Sequence, residues 1–177
     1  KMLSAWKGTV LCGPCYSAVG KLTGQSRTKE EWKRAVEGLK ELAKVAEDCQ
    51  VKIALEPLNR FETYFLNIAE DAVRLVEEVD SPWVGILLDT FHMNIEEKSL
   101  YQAIKQVGKH LFHVHTCEND RGTPGEGHVE WNEVFQALRE INYQGDLVIE
   151  SFVPGVKEIA RAASIWRPLA PDSDYIA

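Results

Sequence analysis

Two kinds of segment alternate along the chain. Short apolar runs are separated by longer stretches in which apolar side chains recur every three or four positions. The runs are Thr9–Cys12, Val51–Leu55, Val84–Leu88, His110–His115 and Leu147–Ile149, and each predicts a strand. Their near-continuous apolar character predicts burial on both faces, hence a parallel sheet with right-handed crossovers.

The intervening stretches predict helices. Thr28-Lys29-Glu30-Glu31 has the spacing of a capping box. Behind it Trp32, Val36, Leu39, Leu42, Ala43, Ala46 and Cys49 form one apolar stripe. Asn67 to Glu70 predicts the cap of a helix carrying Val73, Leu75, Val76 and Val79. Further helices are predicted over Ile95–Val107, through Val134, Phe135, Leu138 and Ile141, and over Val156–Trp166. The tail to Ala177 shows no amphipathic pattern. This is an α/β chain, and two architectures fit it: part of a (β/α)8 barrel, or an open five-stranded doubly wound sheet.

Composition narrows the class. The chain has 177 residues, 45% hydrophobic and 27% charged, which excludes a disordered chain or a disulfide miniprotein. It is well short of the roughly 250 residues of a closed eight-stranded barrel. A net charge of −7 disfavours a nucleic-acid partner. No stretch reads as a signal peptide or membrane span. Four cysteines in a chain of this length predict reduced thiols and a cytoplasmic protein.

The chemistry lies at the strand ends. Glu56, Asp89, His115 and Glu150 each close an apolar run, about one βα unit apart. Parallel strands bring their C-terminal ends to one edge, where α/β sites form. Three carboxylates and one imidazole suit a divalent cation such as Mn²⁺, Co²⁺ or Mg²⁺. A Lewis acid on a carbonyl oxygen stabilises the enediolate formed when the adjacent C–H is deprotonated. A base on one face of that carbon and an acid on the other invert it. A lone acidic residue after a strand is usually a cap or a solvated loop residue; four in succession are much harder to explain that way.

Four segments carry a family resemblance. They are Glu56-Pro57-Leu58-Asn59-Arg60-Phe61-Glu62-Thr63, Leu88-Asp89-Thr90-Phe91-His92-Met93-Asn94, His113-Val114-His115 through Glu118 to Gly125, and Val148-Ile149-Glu150-Ser151-Phe152. They resemble the motifs of strands five to eight in the D-tagatose/D-psicose (allulose) 3-epimerase family of xylose-isomerase-like TIM barrels. Gly13-Pro14 and Tyr16-Ser17 resemble the segment after strand four. The resemblance implies a partial (β/α)8 TIM barrel forming one domain over residues 1–177, the C-terminal portion of such an enzyme. Three preceding βα units and the closing helix of the family lie outside this sequence. The resemblance implies Mn²⁺ or Co²⁺ held by Glu56, Asp89, His115 and Glu150, with Glu56 and Glu150 as the acid/base pair at C3 of a ketose. It implies that Glu62, His92 and Arg121 contact substrate hydroxyls. Unpaired first and last strands predict a homo-oligomer that covers the open sheet edges.

Without the motifs, Glu62 reads as a loop carboxylate, His92 as a core imidazole and Arg121 as a solvated cation. His113 reads as packing beside His115, and His110 and His128 as surface residues. Cys12-Gly13-Pro14-Cys15 offers a thiol-disulfide alternative, but no convincing helix follows it. The Gly122–Gly127 loop lacks the Lys-Ser/Thr pair of a phosphate loop.

Overall fold

The computed structural model describes residues 1–152 and 155–169; the tail from 170 to 177 lies outside them. Five parallel strands form one sheet in sequence order: β1 (Val10–Gly13), β2 (Lys52–Leu55), β3 (Val84–Asp89), β4 (Leu111–Thr116) and β5 (Leu147–Ile149). The order never reverses, so each crossover advances the sheet the same way. A doubly wound sheet needs a reversal, and that alternative is overturned. The sheet curls as a half-barrel, and β4 approaches both β1 and β2 across its concave side.

The helices form the outer layer. After a short α1 (Met2–Ala5) come α2 (Lys29–Cys49), α3 (Ala69–Val79), α4 (Thr90–Glu96), α5 (Leu100–Val107), α6 (Trp131–Glu140) and α7 (Lys157–Ala163). α2 packs on α3, α3 on α5 and α5 on α6. Between them and the sheet lies a core including Leu39, Leu55, Leu75, Ile86, Leu88, Ile104 and Val134. Thr28 and Glu31 form both halves of the capping box that starts α2.

Three helix predictions are corrected. The stretch read as one helix over Ile95–Val107 divides at Glu97, whose backbone is extended, and Ser99 caps α5 with its side chain on Gln102 N. The Glu97 carboxylate is used elsewhere: it accepts from Ala69 N at 2.7 Å. It thus does the capping expected of Asn67, whose Nδ2 instead donates to Leu58 O and Thr63 O. The last helix is shorter than Val156–Trp166, because Ser164 takes a left-handed conformation (φ 56°) after Ala163. His110 falls in a 3-10 turn before β4 rather than in the strand.

The concave face determines what the site can hold. Ala54 and Leu87 are fully buried there. A Cβ on Gly85 would lie 2.5–2.6 Å from the Phe112 ring, so glycine is what lets that ring lie against the sheet. β1 and β5 are the two edges, and Leu147, Val148 and Ile149 of β5 are all exposed.

Candidate metal centre

Each of the four strand-end residues reaches the same edge of the sheet. Glu56 directly follows β2; its N–H donates to Gly13 O, and its carbonyl accepts from the buried Tyr16 hydroxyl at 2.7 Å. Asp89 is the last residue of β3 and pairs in register with His115 on β4. Glu150 directly follows β5, with its N–H on Thr116 O. One ligand atom from each residue lies within 4.8 Å of the other three.

His115 tests whether these residues suit a cation. Its Nδ1 is buried and has no hydrogen-bond partner among the described residues. It faces Glu150 Oε2 at 3.2 Å, Asp89 Oδ2 at 3.6 Å and Glu56 Oε1 at 3.7 Å. A buried ring nitrogen with no hydrogen-bond partner, facing three carboxylate oxygens, is an arrangement that a divalent cation can satisfy in place of a proton. The electrostatics agree. Burial alone would lower the His115 pKa, but the attraction of Asp89, Glu150 and Glu56 prevails and holds it up at about 12. Burial, followed by the charges of Asp89 and Glu150, raises the Glu56 carboxyl. Burial also opposes ionisation of Asp89, yet His115 and then Arg121 hold its carboxyl well below the usual range. Three carboxylates thus converge here, and Arg121 pairs with two of them.

Arg121 reaches this point from a loop, in a left-handed backbone conformation (φ 69°). Its Nη1 donates to Asp89 Oδ2 at 2.6 Å and to Glu150 Oε2 at 2.8 Å. The guanidinium lies 4.2 Å from the centre of the Phe91 ring. Arg121 Nη2 lies 3.0 Å from His92 Nε2. His92 is 2% exposed, and burial is the first cause holding its pKa down to about 4, so the ring is neutral near pH 7. Asn59 N–H, a donor only, points at Nδ1 from 3.1 Å. Arg121 Nη2, likewise a donor only, faces Nε2, so the neutral ring meets a donor at each nitrogen and can accept from just one of them. His92 Nε2 and Arg121 Nη2 both lie at the edge of the quartet, the imidazole nitrogen 3.7 Å from Glu56 Oε1.

Glu62 is placed indirectly: its Oε1 accepts from Asn59 Nδ2 at 2.8 Å, and Asn59 also contacts His92. Sequence reasoning missed Asn59, although it lies inside the segment after β2. It also missed Cys117 and Glu118, both fully buried beside the site. His113 stacks edge-on to His115 with ring centres 5.2 Å apart, and His128 pairs with Asn94 on the surface. Cys12 is a free thiol in β1 and Cys15 one on the turn after it, neither at a helix start. Burial raises both, Cys12 to about 11, the opposite of a thiol activated for disulfide exchange.

Fold and site together define half of a (β/α)8 barrel with a cluster at its strand ends that could hold a metal ion. The profile of the xylose isomerase-like TIM barrel family matches residues 8–169, and the chain belongs to that family. It is 44% identical over 167 residues to a protein named probable ketose 3-epimerase from Synechocystis, covering 94% of this chain and 58% of that one. It is 48% identical over 139 residues to a D-psicose 3-epimerase from Enterocloster bolteae, covering 78% and 46%. Among solved structures, D-psicose 3-epimerase with D-tagatose from Clostridium cellulolyticum superposes with a TM-score of 0.93 at 39% identity, covering 99% of this chain and 62% of that one. The chain thus spans about half to three-fifths of the length of these relatives. No helix among the described residues is long and apolar enough to cross a membrane.

Proposed function

We propose that the chain carries the metal and acid/base half of a ketose 3-epimerase, acting on a sugar of the D-fructose, D-psicose or D-tagatose type. It forms a single domain equivalent to strands four to eight of the barrel. The observation that carries this reading is the convergence of Glu56, Asp89, His115 and Glu150 on one point, with an unpartnered imidazole nitrogen among them. Those four residues would hold Mn²⁺ or Co²⁺, with Mg²⁺ as a further candidate. The cation supplies Lewis-acid polarisation of the C2 carbonyl, which acidifies the neighbouring C3–H.

The chain's own groups do the rest. Glu56 and Glu150 stand at the two ends of the quartet. One carboxylate takes the C3 proton, and the other returns a proton to the opposite face, inverting the carbon with no net change in composition. The raised carboxyl of Glu56 fits a group that must hold a proton for part of the cycle. His92 and Arg121 orient substrate hydroxyls, and Glu62, steadied by Asn59, accepts from another. The four free thiols fit a cytoplasmic location.

Incubation with D-fructose and Mn²⁺, followed by chromatography, should yield D-psicose. EDTA should abolish the conversion, and Glu150→Gln should reduce it by about 10²–10⁴-fold. Formation of an aldose instead would move the reaction to aldose–ketose isomerisation. A second reading rests on the open sheet edges: a partial barrel that binds metal without turning over a sugar. Metal binding by calorimetry with no turnover would establish that reading.

We further propose that copies of the chain associate through the edges at β1 and β5, where the apolar residues of β5 stand exposed. Light scattering should give a mass above that of one chain. A monomer that persists at high concentration rejects this.

A further inference from the structure

Cys117 belongs to no part of the chemistry described above, yet it is completely buried against the quartet. Its Sγ lies 3.2 Å from Asp89 Oδ1 and 3.3 Å from Arg121 Nη1. Of the Cys117–Asp89 pair only the thiol has a hydrogen to give, so Sγ–H donates to Oδ1 while the sulfur accepts from Arg121. Oδ1 already accepts from Phe91 N–H at 2.8 Å. With both donors on Oδ1, the carboxylate cannot rotate freely, and Oδ2 remains turned toward His115 and the point where the quartet converges.

A clasp in the neighbouring backbone fixes the thiol. Thr90, adjacent to Asp89, donates through Oγ1 to Cys117 O at 2.6 Å and accepts from Cys117 N at 2.9 Å. One hydroxyl thus satisfies both backbone groups of Cys117 and ties the end of β4 to the start of α4. The residue is two positions beyond His115, so the clasp sets two members of the quartet, one on each strand, against each other.

We propose that Cys117 is a positioning residue that orients Asp89 for the divalent cation by donating its S–H to Oδ1. This rests on the metal-site reading above. Partners of this kind, which orient a ligand without touching the metal, typically change affinity by about 10–100-fold when removed.

The test is calorimetry with Mn²⁺ on the whole chain. Cys117→Ala and Cys117→Val, which lack the donor, should bind at least about tenfold more weakly than wild type. Cys117→Ser, which keeps an O–H donor, should stay within about threefold, well inside the loss expected when such a partner is removed. The valine variant preserves the test if the alanine variant does not fold. Equal binding by all four proteins overturns the inference, as does an equal loss in serine and alanine, which would mean that packing alone matters. Co²⁺ absorption adds a second readout. A thiolate-to-cobalt charge-transfer band would make the sulfur a ligand and overturn the positioning role. Absence of Mn²⁺ binding in wild type would instead sink the metal-site reading itself.

Discussion

Asp89→Asn is expected to abolish Mn²⁺ binding and to lower the stability of the metal-free protein by about 3–5 kcal/mol, the cost of breaking a buried ion pair. The side chain is 1% exposed and both oxygens are committed. Oδ1 accepts from Phe91 N–H and from the Cys117 thiol, and Oδ2 accepts from Arg121 Nη1 at 2.6 Å. An amide replaces one acceptor by a donor. In either orientation its NH₂ faces a group that can only donate: Phe91 N–H on one side, the Arg121 guanidinium on the other. Arg121 also loses one of its two carboxylate partners, leaving Glu150. Glu150→Gln provides the contrast. That side chain is 30% exposed, so its replacement should weaken metal binding at a much smaller cost in stability. Urea unfolding in EDTA and calorimetry with Mn²⁺ measure the two effects separately. The pH dependence has a definite sign. The Asp89 carboxyl is held below its ordinary value, so its contribution is complete above about pH 4 and is lost as pH falls through the native value. The gap between wild type and Asp89→Asn should therefore be full at neutral pH and close only in strong acid. A variant as stable as wild type at pH 7 that still binds Mn²⁺ would remove Asp89 from the site.

The quartet was legible because each member ends an apolar run, and strand ends are set by the same hydrophobic pattern that makes the strands. Glu56, Asp89, His115 and Glu150 could be read from their intervals alone. The half-barrel could not: apolar runs of this kind suit either a barrel segment or a doubly wound sheet, and only the strand order separates them. Side chains that act across the fold were also hidden. Glu97 caps α3 from 28 residues away, and nothing local distinguishes it from a solvated carboxylate. Cys117 reads as a small apolar residue until its neighbour across the sheet is known. Arg121 illustrates the limit most directly. Its sequence surroundings suggest a solvated cation beside Asp120, whereas the fold turns it onto two carboxylates of the quartet. That turn depends on a loop whose shape is fixed by a residue three positions earlier.

Glu118→Gln should loosen that loop and destabilise the protein by about 2–3 kcal/mol, the usual worth of hydrogen bonds to a buried charge. The Glu118 carboxylate is 1% exposed and the loop wraps around it. Oε1 accepts from Gly125 N at 2.7 Å and Trp131 Nε1 at 2.6 Å, and Oε2 accepts from Val129 N at 3.1 Å. A Cβ on Gly127 would lie 2.3 Å from Oε2, so the backbone approaches too closely for any side chain there. Glutamine has one amide oxygen for these donors, and its NH₂ would face at least one of them. Burial raises the Glu118 carboxyl, but the bonds from Trp131, Gly125 and Val129 outweigh it and leave the pKa below its ordinary value. The stability it contributes is therefore complete above about pH 4.3 and lost on further acidification. Arg121 lies within the same loop, with its N–H on Glu118 O and an unfavourable left-handed backbone. Once the carboxylate's bonds are lost, that conformation rests on the backbone bonds from Arg121 N–H to Glu118 O and from Phe152 N–H to Arg121 O. Hydrogen exchange should accelerate over residues 122–129, and Trp131 fluorescence should shift as its indole N–H loses a charged acceptor. Mn²⁺ affinity should fall less than in Asp89→Asn, because the four ligands sit on strand ends rather than on the loop. If amides 122–129 exchanged as slowly as in wild type, the loop would be holding its shape without the Glu118 carboxylate, and this account of how Arg121 is placed would fail.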